Sequence, residues 1–155
     1  MNRIAVFPGS FDPFTTGHES IVVRAKNLFD KIIIAIGYNV EKKDFFPLDK
    51  RIAWIKRVFP NDPKIEVDKF EGLTMDFCKK VNAKYLLRGL RTAIDFEYER
   101  AIGQMNREIN PDVETVYLLT TPELTAVNST IVRDIIRHGG DASKFVPENI
   151  DLYEK

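Results

Sequence analysis

Cysteine is nearly absent from this 155-residue chain: Cys78 stands alone, so no internal disulfide can form and nothing depends on an oxidising compartment. Histidine is almost as scarce. His18 and His138 lie 120 positions apart, and no C-x-x-C or H-E-x-x-H spacing occurs. That excludes the common zinc arrangements and leaves Cys78, within the apolar stretch Leu73 to Val81, as a small core residue. No apolar run approaches the roughly 18 residues of a membrane span. The opening run Met1 to Phe7 ends at Pro8-Gly9, too short for a signal sequence. The expectation is a soluble, cytoplasmic protein with no membrane partner. An excess of one charge is lacking too: 23 Lys plus Arg cancel 23 Asp plus Glu. A neutral chain does not gather nucleic acid by bulk electrostatics, so any anion chemistry must be local.

What is present is a globular composition, 44% apolar and 30% charged, in a length that favours one domain over 1–155 with a substantial core. Short β-branched runs alternate with stretches of helical period. Strands are expected at Arg3 to Phe7, Lys31 to Gly37, Ile65 to Phe70, Tyr85 to Arg88 and Val113 to Thr120. Helices are expected at His18 to Phe29, Leu48 to Phe59, Leu73 to Val81, Ala93 to Ile109 and Ser129 to His138. The all-apolar KIIIAIG at 31–37 is the mark of a strand buried on both faces, the habit of parallel sheets. Five such alternations with right-handed crossovers imply an α/β fold: a doubly wound, Rossmann-like, five-stranded parallel sheet with helices on both faces.

Ligands of open parallel sheets bind at the carboxyl ends of the strands, which directs attention to three segments. The first, PGSFDPFTTGH at 8–18, breaks the strand at Pro8-Gly9 and starts a helix near Gly17-His18. Free N–H groups and the helix dipole make such a start an anion site, and His18 there can donate to a phosphate oxygen. The alternative is that Thr15 or Thr16 caps the helix and His18 is incidental. The spacing is not a P-loop, and no G-x-G-x-x-G occurs. The second, Arg88-Gly89-Leu90-Arg91, sets two guanidinium forks beside a glycine at a strand end, suited to bidentate phosphate contact or to a solvated basic turn. Downstream, Asp95, Glu99 and Asn106 fall within about 40° of one another, beside an apolar stripe of Ile94, Tyr98, Ile102, Met105 and Ile109 expected to be buried. These polar residues read equally as a cleft wall or as an ordinary helix boundary. The third, Val127 to Arg133, places amide and hydroxyl side chains at another helix start.

Together, Ser10-Phe11-Asp12-Pro13 through Thr15-x-Gly17-His18, then Arg88-Gly89-Leu90-Arg91, then Ser129-Thr130-x-x-Arg133 resemble the T-x-G-H nucleotidyltransferases, and within them the bacterial phosphopantetheine adenylyltransferases. Lys42-Lys43, Asp95 to Glu99, Met105-Asn106-Arg107 and Phe145 to Asn149 extend the similarity along the whole chain. The resemblance implies transfer of the adenylyl group of ATP to 4′-phosphopantetheine, giving dephospho-coenzyme A and pyrophosphate. It implies that His18 stabilises the transition state and contacts ATP, with Ser10 and Phe11 beside both substrates. Lys42, Thr74 and Arg88 would hold phosphopantetheine. Gly89, Leu90, Arg91, Glu99 and the stretch Leu124, Thr125, Ala126, Val127, Asn128, Ser129 and Thr130 would meet ATP. Mg2+ is implied, carried mainly on ATP phosphates because no carboxylate cage is present. A homohexamer is implied by resemblance alone. The chain departs from the family at Ser10, where many relatives have Thr, and at Val127-Asn128, which replaces Ile-Ser; Thr74 falls at a variable position. The competing readings are a nucleotidyltransferase acting on nicotinamide mononucleotide or glycerol phosphate, and a non-catalytic nucleotide-binding module.

Overall fold

A computed structural model describes residues 2–155. Five strands, β1 (Ile4–Gly9), β2 (Lys31–Gly37), β3 (Ile65–Phe70), β4 (Tyr85–Leu90) and β5 (Glu114–Leu119), form one all-parallel sheet in the order β3-β2-β1-β4-β5. Between them run α1 (Thr16–Ala25), α2 (Leu48–Val58), α3 (Thr74–Lys80) and α4 (Ala93–Ile109), followed by α5 (Ser129–Arg137). Short 3-10 turns at Pro122–Leu124 and Ser143–Phe145, unforeseen in the sequence, complete the described structure.

The period-two alternation of the central strands decides which helices cover which face. Ala5, Phe7, Ile32, Ile34, Ile36 and Leu87 point to one side, where they pack with Ile21 and Val22 of α1, Trp54 and Ile55 of α2, and Val132 of α5. Val6, Ile33, Ala35 and Leu86 point to the other and meet Met75, Phe77 and Cys78 of α3. The doubly wound parallel sheet expected from the sequence is therefore present. Cys78 is fully buried, and desolvation raises its thiol pKa to about 11. Among the described residues no helix is long and apolar enough to cross a membrane.

Three expectations need correction. β1 does not stop at Phe7 but runs through Pro8 and Gly9, which pair with Ala35 and Ile36 of β2. Proline is tolerated in this central strand because pairing of β1 with β4 covers only Ala5 and Val6; beyond them no ladder bond is asked of Pro8 on that side. Likewise β4 extends to Leu90, so Arg88-Gly89-Leu90 belongs to the strand and only Arg91 follows it. The stripe on α4 is not buried: Ile94 is 83% exposed, Tyr98 69% and Met105 64%, and Glu99 is the buried residue of that helix.

Candidate active site

Where β1 and β4 part, the sheet opens into a cleft of about 360 Å3 at the carboxyl ends of the strands, the point at which the strand order reverses. It is lined by Pro8 to Phe11, the start of α1 with Gly17 and His18, Arg88, Gly89 and Arg91, Asp95, Tyr98 and Glu99 of α4, and Val127 to Thr130. All three segments singled out from the sequence thus converge. A smaller cavity of about 180 Å3 shares Pro8, Arg88 and Glu99 with the cleft and is lined further by Thr74, Ile102 and Asn106. Leu90 is buried, and neither it nor Leu124, Thr125 or Ala126 lines the cleft. Lys42 is exposed on the loop after β2. Thr120, at the end of β5, lines the cleft and carried no signal in the sequence.

His18 occupies the third position of α1. Thr15 is the N-cap: its hydroxyl accepts from the His18 N–H at 3.3 Å, while its own N–H donates to His18 Nδ1 at 2.9 Å. This reciprocal pair is a capping box with histidine in the place usually held by Glu or Gln. The two readings of the sequence do not exclude one another: His18 closes the cap of its helix and also lines the cleft. Because a backbone N–H can only donate, Nδ1 must accept, which leaves Nε2 as the protonated nitrogen of the neutral ring. Phe11, Phe14 and Phe7 surround that ring at centroid distances of 4.9, 5.4 and 6.3 Å. Desolvation by these walls, then the positive charges of Arg88 and Arg91, lower the His18 pKa to about 3. His18 is thus an uncharged N–H donor at neutral pH. The cap engages only its own helix position, so the N–H groups of Thr16 and Gly17 have no partner within α1.

The N-terminus of α5 repeats the arrangement. Asn128 caps it through the N–H of Ile131 at 2.9 Å, leaving those of Ser129 and Thr130 without helix acceptors. Ser129 Oγ donates to Pro13 O at 2.8 Å and Arg133 Nη1 to Asp12 O at 2.8 Å, so α5 is bolted to the turn after β1.

Both cleft arginines carry a carboxylate from α4. Arg88 is held bidentately by Glu99 through Nε and Nη2, and its Nη1 donates to Pro8 O at 3.0 Å, filling the gap where the β1-β4 ladder has ended. Arg91 Nε lies 3.2 Å from Asp95, which also accepts the Arg91 N–H. Asp95 and Glu99, read from the sequence as a possible cleft wall, act as counter-ions; Glu97 pairs with Arg100 on the exposed face. Glycine at 89 keeps β4 close to α1, since a Cβ would stand 3.3 Å from Ile21 Cγ1. Among the described residues no group of three or more His, Cys, Asp or Glu could hold a metal ion, and both cleft carboxylates are engaged by arginine.

Comparison with known proteins identifies the family. The Cytidylyltransferase-like family model matches residues 6–135. A phosphopantetheine adenylyltransferase of Flavobacterium psychrophilum is 51% identical over 148 residues, covering 96% of this chain and 97% of the relative. One of Cytophaga hutchinsonii is 49% identical over 150 residues, covering 97% of this chain and all of the relative. A bifunctional NMN adenylyltransferase/ADP ribose pyrophosphatase of Francisella tularensis, solved with AMP and a manganese ion, superposes with a TM-score of 0.69 at 17% identity, over 94% of this chain and 44% of its own, and so shares the fold. With its sequence similarity running end to end and its three motifs meeting in one cleft, the chain belongs to the phosphopantetheine adenylyltransferases of the cytidylyltransferase-like family.

Proposed function

We propose that the cleft aligns ATP with 4′-phosphopantetheine for in-line adenylyl transfer, carried out by the chain as one domain over 1–155. A phosphate oxygen of the acceptor attacks the α-phosphorus of ATP. That P–O bond forms as the bond to the β-phosphate oxygen breaks, releasing pyrophosphate and leaving dephospho-coenzyme A. The nucleophile is the substrate's own phosphate, so no covalent enzyme intermediate and no strong base are needed. Alignment and neutralisation of developing charge remain for the protein to supply.

The observation that carries this reading is the neutral His18, its Nδ1 occupied by Thr15 and its Nε2–H free to donate, beside two helix N-termini and two arginines. His18 stabilises the transition state through that donor. Ser10 and Phe11 stand beside both substrates; Gly89, Arg91 and the stretch Leu124 to Thr130 form the ATP side, with Leu90, Leu124, Thr125 and Ala126 acting from outside the lining. Lys42, Thr74 and Arg88 form the acceptor side; the position of Arg88 between the cleft and the smaller cavity with Thr74 supports this. Glu99, which the resemblance assigns to ATP, would act there while holding the fork of Arg88. Mg2+ fits a donor set without a carboxylate cage, because it needs few protein ligands when it rides on phosphate oxygens and water. When bound it withdraws charge from those oxygens. We infer a cytoplasmic reaction and a homohexamer from the resemblance; the exposed apolar stripe of α4 supports self-association of the chain.

Pyrophosphate release from ATP, Mg2+ and 4′-phosphopantetheine tests the reading. Turnover is expected with this acceptor and not with nicotinamide mononucleotide or glycerol phosphate. Absence of turnover above background overturns the enzyme assignment, and preference for another acceptor overturns the substrate.

A further inference from the structure

An arginine outside the cleft lining joins two segments that the cleft needs. Arg51 of α2 is 1% exposed, and the acceptors for its guanidinium come from both segments. Nη1 donates to Ser10 O at 2.6 Å, in the turn after β1; Nε donates to Phe46 O at 3.0 Å and Nη2 to the Asp44 carboxylate, both in the loop between β2 and α2. Asp12 ties the same two segments in the opposite sense, its carboxylate accepting from the N–H groups of Phe45 at 2.8 Å and Phe46 at 2.9 Å. Between the ties lies Phe11 with φ of +46°, a left-handed backbone that a bulky residue keeps only where its surroundings fix it.

Burying a guanidinium carries a large desolvation cost, and a hydrophobic side chain of similar volume serves packing as well or better. What a hydrophobic residue cannot do is register one loop against another. The turn at one end of the fork presents Ser10 and Phe11 to the cleft, and the loop at the other end carries Lys42 two positions before Asp44. We propose that Arg51 is a positioning residue that sets Lys42 relative to the turn after β1, so that the acceptor phosphate is held in line with ATP. This rests on the assignment of Lys42 to that phosphate.

The test is a double-mutant cycle in the full chain, with ATP, Mg2+ and 4′-phosphopantetheine as substrates. Arg51→Lys keeps the charge, but an ammonium cannot span the three acceptors of the planar fork. Asp44→Asn weakens the same tie from its half-exposed end and decides the matter should Arg51→Lys not fold. Each is expected to raise the KM for phosphopantetheine about three- to tenfold, with the KM for ATP and kcat within about twofold. In a chain that already carries Lys42→Ala the same replacements should have little further effect, because nothing is left to position. Unchanged acceptor KM, an equal rise in both KM values, or additive effects in the cycle would overturn the role of Arg51. Lys42→Ala without effect on the acceptor KM would show instead that the assignment of Lys42 is the error, and the proposal falls with it.

Discussion

At the scale of the residue, His18 does two jobs that separate by substitution. Its Nδ1 closes the capping box with Thr15, and its Nε2–H is offered to the cleft. His18→Ala should lower kcat by about 10²-fold, the size of losing one preorganised transition-state donor, and cost about 1 kcal/mol of stability through the lost cap. His18→Glu retains an acceptor for the Thr15 N–H and should restore the stability without restoring turnover. Denaturant unfolding alongside steady-state kinetics distinguishes the two losses; recovery of turnover in His18→Glu would separate Nε2–H from the mechanism. The lowered pKa has its own consequence. Below about pH 6.5 an unfolded histidine takes up a proton, whereas folded His18 does not until about pH 3. The unfolded state therefore binds more protons across that window, and stability is lost as the pH falls through it. Denaturant midpoints measured from pH 7 to pH 4 should fall less steeply in His18→Glu than in the parent chain.

At the scale of the element, α4 shows how one missing side chain sets a position. Tyr117 of β5 donates its hydroxyl to Glu99 O at 2.9 Å, and that hydroxyl occupies the space beside Gly103. A Cβ at 103 would stand 2.5 Å from it. Gly103→Ala should therefore destabilise the protein by about 1–2 kcal/mol through displacement of Tyr117, despite the gain of about 1 kcal/mol that alanine brings to a helix interior. Adding Tyr117→Phe removes the clash, and the double variant should melt higher than Gly103→Ala alone; equal melting would mean the hydroxyl is not what Gly103 accommodates. The limits of reading elements from sequence are visible nearby. The strands were legible because Ala5, Val6 and Ile32 to Ile36 are apolar on both faces. The end of β1 was not, because proline reads as a breaker unless it is known that its N side faces a lapsed ladder. The Thr15-to-His18 and Arg88-to-Arg91 motifs were legible from residue types at strand ends. The pairing of Arg88 with Glu99 was not, since it joins a strand to a helix eleven positions on, and that distance is set by how α4 docks. Arg51 gave no signal at all: one of several basic residues in an amphipathic helix, it reads as a solvent charge until packing buries it.

At the scale of the whole molecule, periodicity identified the apolar stripe on α4 but not what it faces. Ile94, Tyr98, Met105 and Ile109 remain more than half exposed, a contiguous row of the kind that isolated soluble chains seldom present. With six copies proposed, Ile94→Glu together with Met105→Glu should shift sedimentation toward the mass of the single 17.9 kDa chain, while far-ultraviolet circular dichroism stays that of the folded protein. An unchanged sedimenting mass would place the contact elsewhere.

The cancelling charges of the chain have a local counterpart in the cleft, where Arg88 and Arg91 each rest on a carboxylate before any substrate arrives. An incoming phosphate does not have to freeze these side chains, and it does not meet bare cations, because Glu99 and Asp95 keep their share of the field. On the proposed function, ground-state attraction would be tempered while the geometry is already set, so dephospho-coenzyme A, which keeps its phosphates, would leave a surface that never gripped them at full strength. A cleft so built would work as an ion exchanger rather than an ion trap.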